Sequence, residues 1–122
     1  MQVIYLTICQ VTHKVLPHEQ CIQAIEHMKA RIWNHRSWIG EIDSQRLRER
    51  FETMLRQAGF GLVGFSDAHF QPQGYTAVWI LAESHFALHT FPEEGRTYCE
   101  LSSCSREKFI ALIELIEPHE IA

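Results

Sequence analysis

The chain is predicted to fold as an α/β (α+β) two-layer sandwich, an antiparallel sheet with helices packed on one face. Three observations predict it. From Phe60 to Cys104, short runs rich in β-branched and aromatic residues alternate with Pro/Gly turns. An amphipathic repeat precedes these runs at Leu47, Phe51, Met54, Leu55 and Ala58, and another follows at Phe109, Ile110, Leu112, Ile113 and Ile116. Helices of that kind must lay one side on something apolar, and the sheet offers such a face.

In chain order, Val3 to Val11 reads as a first strand, and Pro17 with His18 opens a helical pattern carried by Ile22, Ile25, Met28 and Ile32. Arg31 to Ile42, with Trp33, Trp38 and the Gly40 break, reads as a loop or a helix interruption. Asp43 or Ser44 can cap the next helix, and Gly59 stands where a C-terminal glycine would end it. Its charge run, Arg46 to Arg56, is a solvated face. Strands are expected at Phe60 to Phe65 or slightly beyond, Tyr75 to Glu83, His85 to Phe91 and Arg96 to Cys104. Turns fall at Gln71-Pro72-Gln73-Gly74 and Pro92-Glu93-Glu94-Gly95, and Ser105 can cap the last helix.

With 122 residues, 46% of them hydrophobic and 21% charged, the chain suits one domain, residues 1 to 122. A formal charge of -4 gives no basic field for nucleic acid, and no apolar run approaches the ~20 residues that cross a bilayer. Nucleic acid and membrane are therefore poor partners. Met1 to Gln10 lacks a signal-peptide pattern, so Cys9, Cys21, Cys99 and Cys104 are expected as reduced thiols in the cytoplasm.

The chemistry is concentrated in Leu81-Ala82-Glu83-Ser84-His85-Phe86-Ala87-Leu88-His89-Thr90-Phe91-Pro92-Glu93. This segment closely resembles the signature of the bacterial and archaeal pyruvoyl-dependent S-adenosylmethionine decarboxylases, in which Glu-Ser-His is followed by Ile-His-Thr-Trp-Pro-Glu. The resemblance covers roughly Arg50 to the final helix, and more faintly the first strand. It implies a proenzyme that cuts itself between Glu83 and Ser84, with Ser84 as the cleavage residue, His89 assisting, and Cys104, twenty residues after the serine, as proton donor in decarboxylation. Upstream, His69 to Thr76 resembles the family's Phe-x-Pro-x-Gly-x-Ser turn. It implies that Phe70 stacks on the substrate's adenine and that Thr76 helps processing; Glu93 matches a carboxylate that binds the ribose hydroxyls. The implied cofactor is a covalent pyruvoyl group derived from Ser84, the substrate S-adenosylmethionine, the product a precursor for polyamine (spermidine) synthesis, and the assembly a homodimer.

These residue types suit that chemistry. The Ser84 hydroxyl can attack the carbonyl of Glu83, turning the peptide into an ester; a base, for which His89 is the candidate, then removes the Ser84 α-proton and elimination splits the chain into residues 1 to 83 and 84 to 122. Strand alternation also puts Arg96, Tyr98, Glu100, Ser102 and Cys104 on one face, a polar row more like a pocket wall than a core. His85 and His89 as a metal pair are disfavoured, because four residues of strand span ~13 Å. Departures from the family pattern are Phe91 for its tryptophan, Ser105 for a glycine, Glu100 for an aspartate and Ser102 for an aromatic, while the first strand lacks an acidic residue and Trp33 to Ile42 looks like an insertion. Pyruvoyl chemistry serves any α-amino acid, so ornithine or arginine decarboxylation, and an unprocessed binding or regulatory role, stand as alternatives.

Overall fold

A computed structural model describes residues 29–122 together with Glu19. The chain divides between Arg31 and Ile32 into two units, and the fold below is that of the second. The strand expected at Val3 to Val11 and the helix opened by Pro17 lie outside the described residues, except for Ile32, which is 55% exposed and outside any helix.

Five strands form one antiparallel sheet: β1 (Trp33–Ile39), β2 (Leu62–His69), β3 (Tyr75–Leu81), β4 (Ser84–Phe91) and β5 (Arg96–Ser103), in the order β1-β5-β4-β3-β2. Helix α1 (Ser44–Gln57) joins β1 to β2, and α2 (Arg106–Ile116) follows β5. The expected sandwich is thus observed. Two boundaries move in a way that matters. The third strand ends at Leu81 and the fourth starts at Ser84, so Ala82 and Glu83 form the tip of a hairpin. The fifth ends at Ser103, which takes Cys104 out of the expected polar strand row.

The segment read as a loop or insertion, Arg31 to Ile42, holds edge strand β1, paired with β5 from Trp33↔Ser103 to Ile39↔Thr97. Its alternation is hidden because both faces carry polar and aromatic residues. His35 meets Phe109 of α2 edge-on at 6.5 Å between centroids, while Trp38 on the other face packs against Tyr98 and Phe91. The C-terminal tail lies along the free side of β1: Ile121 N–H donates to the Trp38 carbonyl at 2.8 Å, and His35 pairs with Glu120 at 2.9 Å.

One sheet face is covered by the helices and built from alternate residues, Ala77 and Trp79 in β3, Phe86 and Leu88 in β4, Cys99 and Leu101 in β5, all buried. Phe51 of α1 stacks on Phe86 at 4.7 Å, and Trp79 packs against Phe86 and Phe65. Leu47, Phe51, Met54, Leu55 and Ala58 are all buried, as the helical repeat predicts. In α2 the buried stripe is narrower than expected: Leu112 and Ile116 are buried, whereas Ile110 is 38% exposed.

The Asp43 carboxylate accepts from the Arg46 N–H and caps α1. At the other end, Gly59 N–H reaches the Arg56 carbonyl and Phe60 N–H the Leu55 carbonyl, with Gly59 at φ 94. That paired arrangement needs a left-handed residue, which L side chains resist. Gly59→Ala should therefore cost about 1–2 kcal/mol in urea unfolding while leaving the helix cap at Asp43 intact. An unchanged midpoint counts against the strain.

Candidate active site

The tip of the β3–β4 hairpin gathers the first group of predicted residues. Glu83 adopts φ 62, the one left-handed conformation of a non-glycine residue among those described. Such a conformation costs free energy of order 1–3 kcal/mol and persists where the surroundings impose it. Here the ladder does so, since Leu81 pairs with Ser84 and leaves two residues to reverse the chain. The Cys104 thiol donates to the Glu83 carbonyl oxygen at 3.0 Å and lies 3.6 Å from the Glu83 Oε2. Ser84 stands directly across the ladder from Ser103, its hydroxyl donating to Ser103 Oγ at 3.4 Å. A serine hydroxyl, the carbonyl before it and a thiol donor on that carbonyl are thus together.

The second group lies on the uncovered face of the sheet. Thr76 and His89 are ladder partners, and Thr76 Oγ1 shares a 2.8 Å hydrogen bond with His89 Nδ1. The His89 ring lies nearly parallel to Tyr98 at 6.2 Å, and the Tyr98 hydroxyl donates to Glu100 Oε2 at 2.9 Å. Desolvation, with the hydrogen bond to Glu100, holds the Tyr98 phenol above its ordinary pKa, so it remains a neutral donor. Beside the pair opens a cavity of about 310 Å³, lined by Phe70, Thr76, His89, Phe91 and Glu93 among others. Phe70 is 52% exposed, and Glu93 Oε2 accepts from Gln73 Nε2 at 3.3 Å. An exposed aromatic beside a carboxylate can receive a flat ring and a pair of hydroxyl donors.

The register separates the two groups. Thr76↔His89 and Leu81↔Ser84 are five rungs apart on the same ladder, which is roughly 17 Å at the rise of a β-strand. Ser84 also points to the helix-covered side and His89 to the open one, as their ladder partners Ser103 and Thr76 do. Within one chain His89 therefore does not reach Ser84.

Against known proteins, residues 41–118 match the family model described as S-adenosylmethionine decarboxylase, more than half of the chain. The chain belongs to the S-adenosylmethionine decarboxylase family. It is 40% identical over 62 residues to an S-adenosylmethionine decarboxylase proenzyme of Symbiobacterium thermophilum, covering 51% of this chain and 47% of that one. The proenzyme of Aquifex aeolicus is 36% identical over 58 residues, 48% of this chain and 43% of the relative. The chain thus spans about half the length of the curated relatives it matches. The crystal structure of the adenosylmethionine decarboxylase from Aquifex aeolicus shares the fold, with a TM-score of 0.62 at 23% identity over 76% of this chain and 82% of that one.

The family match begins at Glu41, just past β1. Sequence reasoning singled out neither Ser103, the partner of Ser84, nor Tyr98 as the neighbour of His89. The Ser102-Ser103-Cys104-Ser105 run is the only signal for the first, and the second appears once β4 and β5 are in register. Among the described residues, Cys99 is buried in the core and its thiol is pushed up to about 12, first by desolvation and then by Glu120. It is a packing group of the core. Among the described residues no helix is long and apolar enough to cross a membrane.

Proposed function

We propose that this chain is a pyruvoyl-dependent S-adenosylmethionine decarboxylase that matures by cutting itself between Glu83 and Ser84. One observation carries the reading: the Cys104 thiol is hydrogen-bonded to the carbonyl of a left-handed Glu83, immediately before a serine. Attack by Ser84 Oγ on that carbonyl puts negative charge on the oxygen that Cys104 already holds, and opening the peptide releases the strained turn. Removal of the Ser84 α-proton by a base and elimination then free residues 1 to 83 with a Glu83 carboxylate, and water hydrolyses the residue left at position 84 to the pyruvoyl group, its nitrogen leaving as ammonia. That group supplies the electron sink for loss of carbon dioxide from an α-amino acid. Cys104, retained beside it, is placed to return a proton to the substrate's α-carbon.

The base is His89, and it must come from a second copy. A homodimer in which the open faces of two sheets approach would bring the Thr76–His89 pair of one protomer to the hairpin tip of the other, and with it the cavity holding Phe70 and Glu93. The open face supports this, presenting Ile80, 55% exposed, two residues along β3 from Val78 on the same side. The Thr76 hydroxyl orients the His89 ring through Nδ1, and Tyr98 backs it. In the cytoplasm, where thiols stay reduced, Cys104 remains a donor. The product is decarboxylated S-adenosylmethionine for polyamine synthesis.

Denaturing mass spectrometry tests the cleavage, with chains of residues 1 to 83 and 84 to 122 expected, the second blocked at its N-terminus; protein that stays intact overturns it. Release of labelled carbon dioxide from S-adenosylmethionine, ornithine and arginine tests the substrate. Phe70→Ala should raise the KM for S-adenosylmethionine by the equivalent of ~1–3 kcal/mol of lost stacking. Glu93→Gln should weaken binding through loss of charge-assisted hydrogen bonds, each about 1.5–3 kcal/mol. Preference for ornithine or arginine, unaffected by Phe70→Ala, sinks the substrate assignment.

A further inference from the structure

Ser103 is 1% exposed, one of three buried polar residues among those described. Its hydroxyl is held locally: Oγ accepts from the Ser105 N–H at 3.0 Å and donates its proton to the Ser105 carbonyl at 3.1 Å. A serine hydroxyl has one proton and two lone pairs, so one acceptor position is left. Ser84 Oγ, directly opposite on the β4–β5 ladder, fills it at 3.4 Å. The polarity of that contact is therefore set, with Ser84 donating and Ser103 accepting. The next residue, Cys104, grips the Glu83 carbonyl. One short segment thus holds both partners of the bond to be formed.

We propose that Ser103 is a positioning residue for self-cleavage, orienting the Ser84 hydroxyl toward the carbonyl that Cys104 holds. The inference rests on the self-cleavage reading and extends it to a residue outside the cleavage motif. In the step concerned, Ser84 Oγ bonds to the Glu83 carbonyl carbon, the Glu83–Ser84 C–N bond breaks, and the hydroxyl proton ends on the Ser84 nitrogen. Ser103 gains no proton in the balance, because its own is committed to the Ser105 carbonyl. Its work is geometric: drawing the Ser84 O–H toward β5 fixes the side-chain rotamer and leaves the lone pairs of the oxygen free for attack.

The test compares Ser103→Thr with Ser103→Val, two side chains of nearly the same shape of which only the first has the hydroxyl. Cleavage of each is followed by mass spectrometry beside wild type, and folding is checked by thermal melting. The Thr variant should cleave within a fewfold of wild type, and the Val variant at least about tenfold more slowly, the loss expected for one hydrogen bond with an oriented nucleophile. Hydroxylamine, which splits esters but not peptides, should not rescue the Val variant, because its ester does not form. Equal rates in the two variants, fast or slow, overturn the inference, as does an ester that accumulates in Ser103→Val and yields to hydroxylamine. Failure of wild type itself to cleave is a different result and removes the self-cleavage reading.

Discussion

Ser84→Ala protein should remain a single chain through prolonged incubation at neutral pH, because the hydroxyl proposed to attack the Glu83 carbonyl is gone. His89→Ala protein should retain the hairpin tip, with Cys104 on the carbonyl, but lack the proposed base, and it too should stay almost uncut. The two defects should complement each other. In a mixed dimer the Ser84→Ala protomer offers its intact His89 and Thr76 to the hairpin of the His89→Ala protomer, and only the latter chain should be cut. Refolding the two variants together and weighing the products under denaturing conditions reads this directly. Absence of cleavage in a mixture shown to contain heterodimers would falsify the shared site; cleavage of wild type as a dilute monomer would do the same.

Cys104→Ala should separate maturation from turnover. Cleavage slows, since the developing charge on the Glu83 carbonyl oxygen loses its 3.0 Å donor, and a removed donor of this kind costs on the order of 10²-fold. It does not stop, because Ser84 and the base are untouched. Once cut, the variant should lose nearly all productive decarboxylation. With no thiol to protonate the α-carbon, the proton arrives elsewhere and the amino group is left on the prosthetic group. Loss of the pyruvoyl signal from the residue 84 to 122 chain during incubation with substrate measures that diversion. Sustained turnover at the wild-type rate returns Cys104 to a purely structural part.

How much of this was legible before the fold was known depends on which forces a residue answers to. Helix α1 was readable in full because its apolar residues, its cap at Asp43 and its terminal Gly59 agree with one another. Strand β1 was not, since His35 and Trp38 serve aromatic contacts on opposite faces and so erase the period of two that marks a half-buried strand. At the candidate site, Ser84, His89, Cys104, Phe70, Thr76 and Glu93 were reached through the resemblance of their segments to the family signature, not through any periodicity. Their division into two groups was not, because it depends on register: the five rungs between Thr76↔His89 and Leu81↔Ser84 are a property of the ladder. Cys104 illustrates the point. Alternation put it on the polar face with Tyr98 and Glu100, and the end of β5 one residue earlier turned it to the hairpin tip.

The strand order has a further consequence if the chain is cut as proposed between Glu83 and Ser84. Residues 84 to 122 contribute β4, β5 and α2, and the β4–β5 hairpin lies between β3 on one side and β1 on the other, both from residues 1 to 83. The smaller chain is therefore threaded into the middle of its companion's sheet, clasped along two ladders, and cannot leave by peeling from an edge. Scission changes the topology of unfolding without changing the native contacts. Before it, the molecule unfolds and refolds as one string; after it, the two strings drift apart, and regaining the sheet becomes a second-order encounter whose yield falls with dilution. The proposed maturation would thus make refolding depend on concentration, and the apparent midpoint of the cut protein should shift with protein concentration where that of Ser84→Ala follows only the dimer equilibrium.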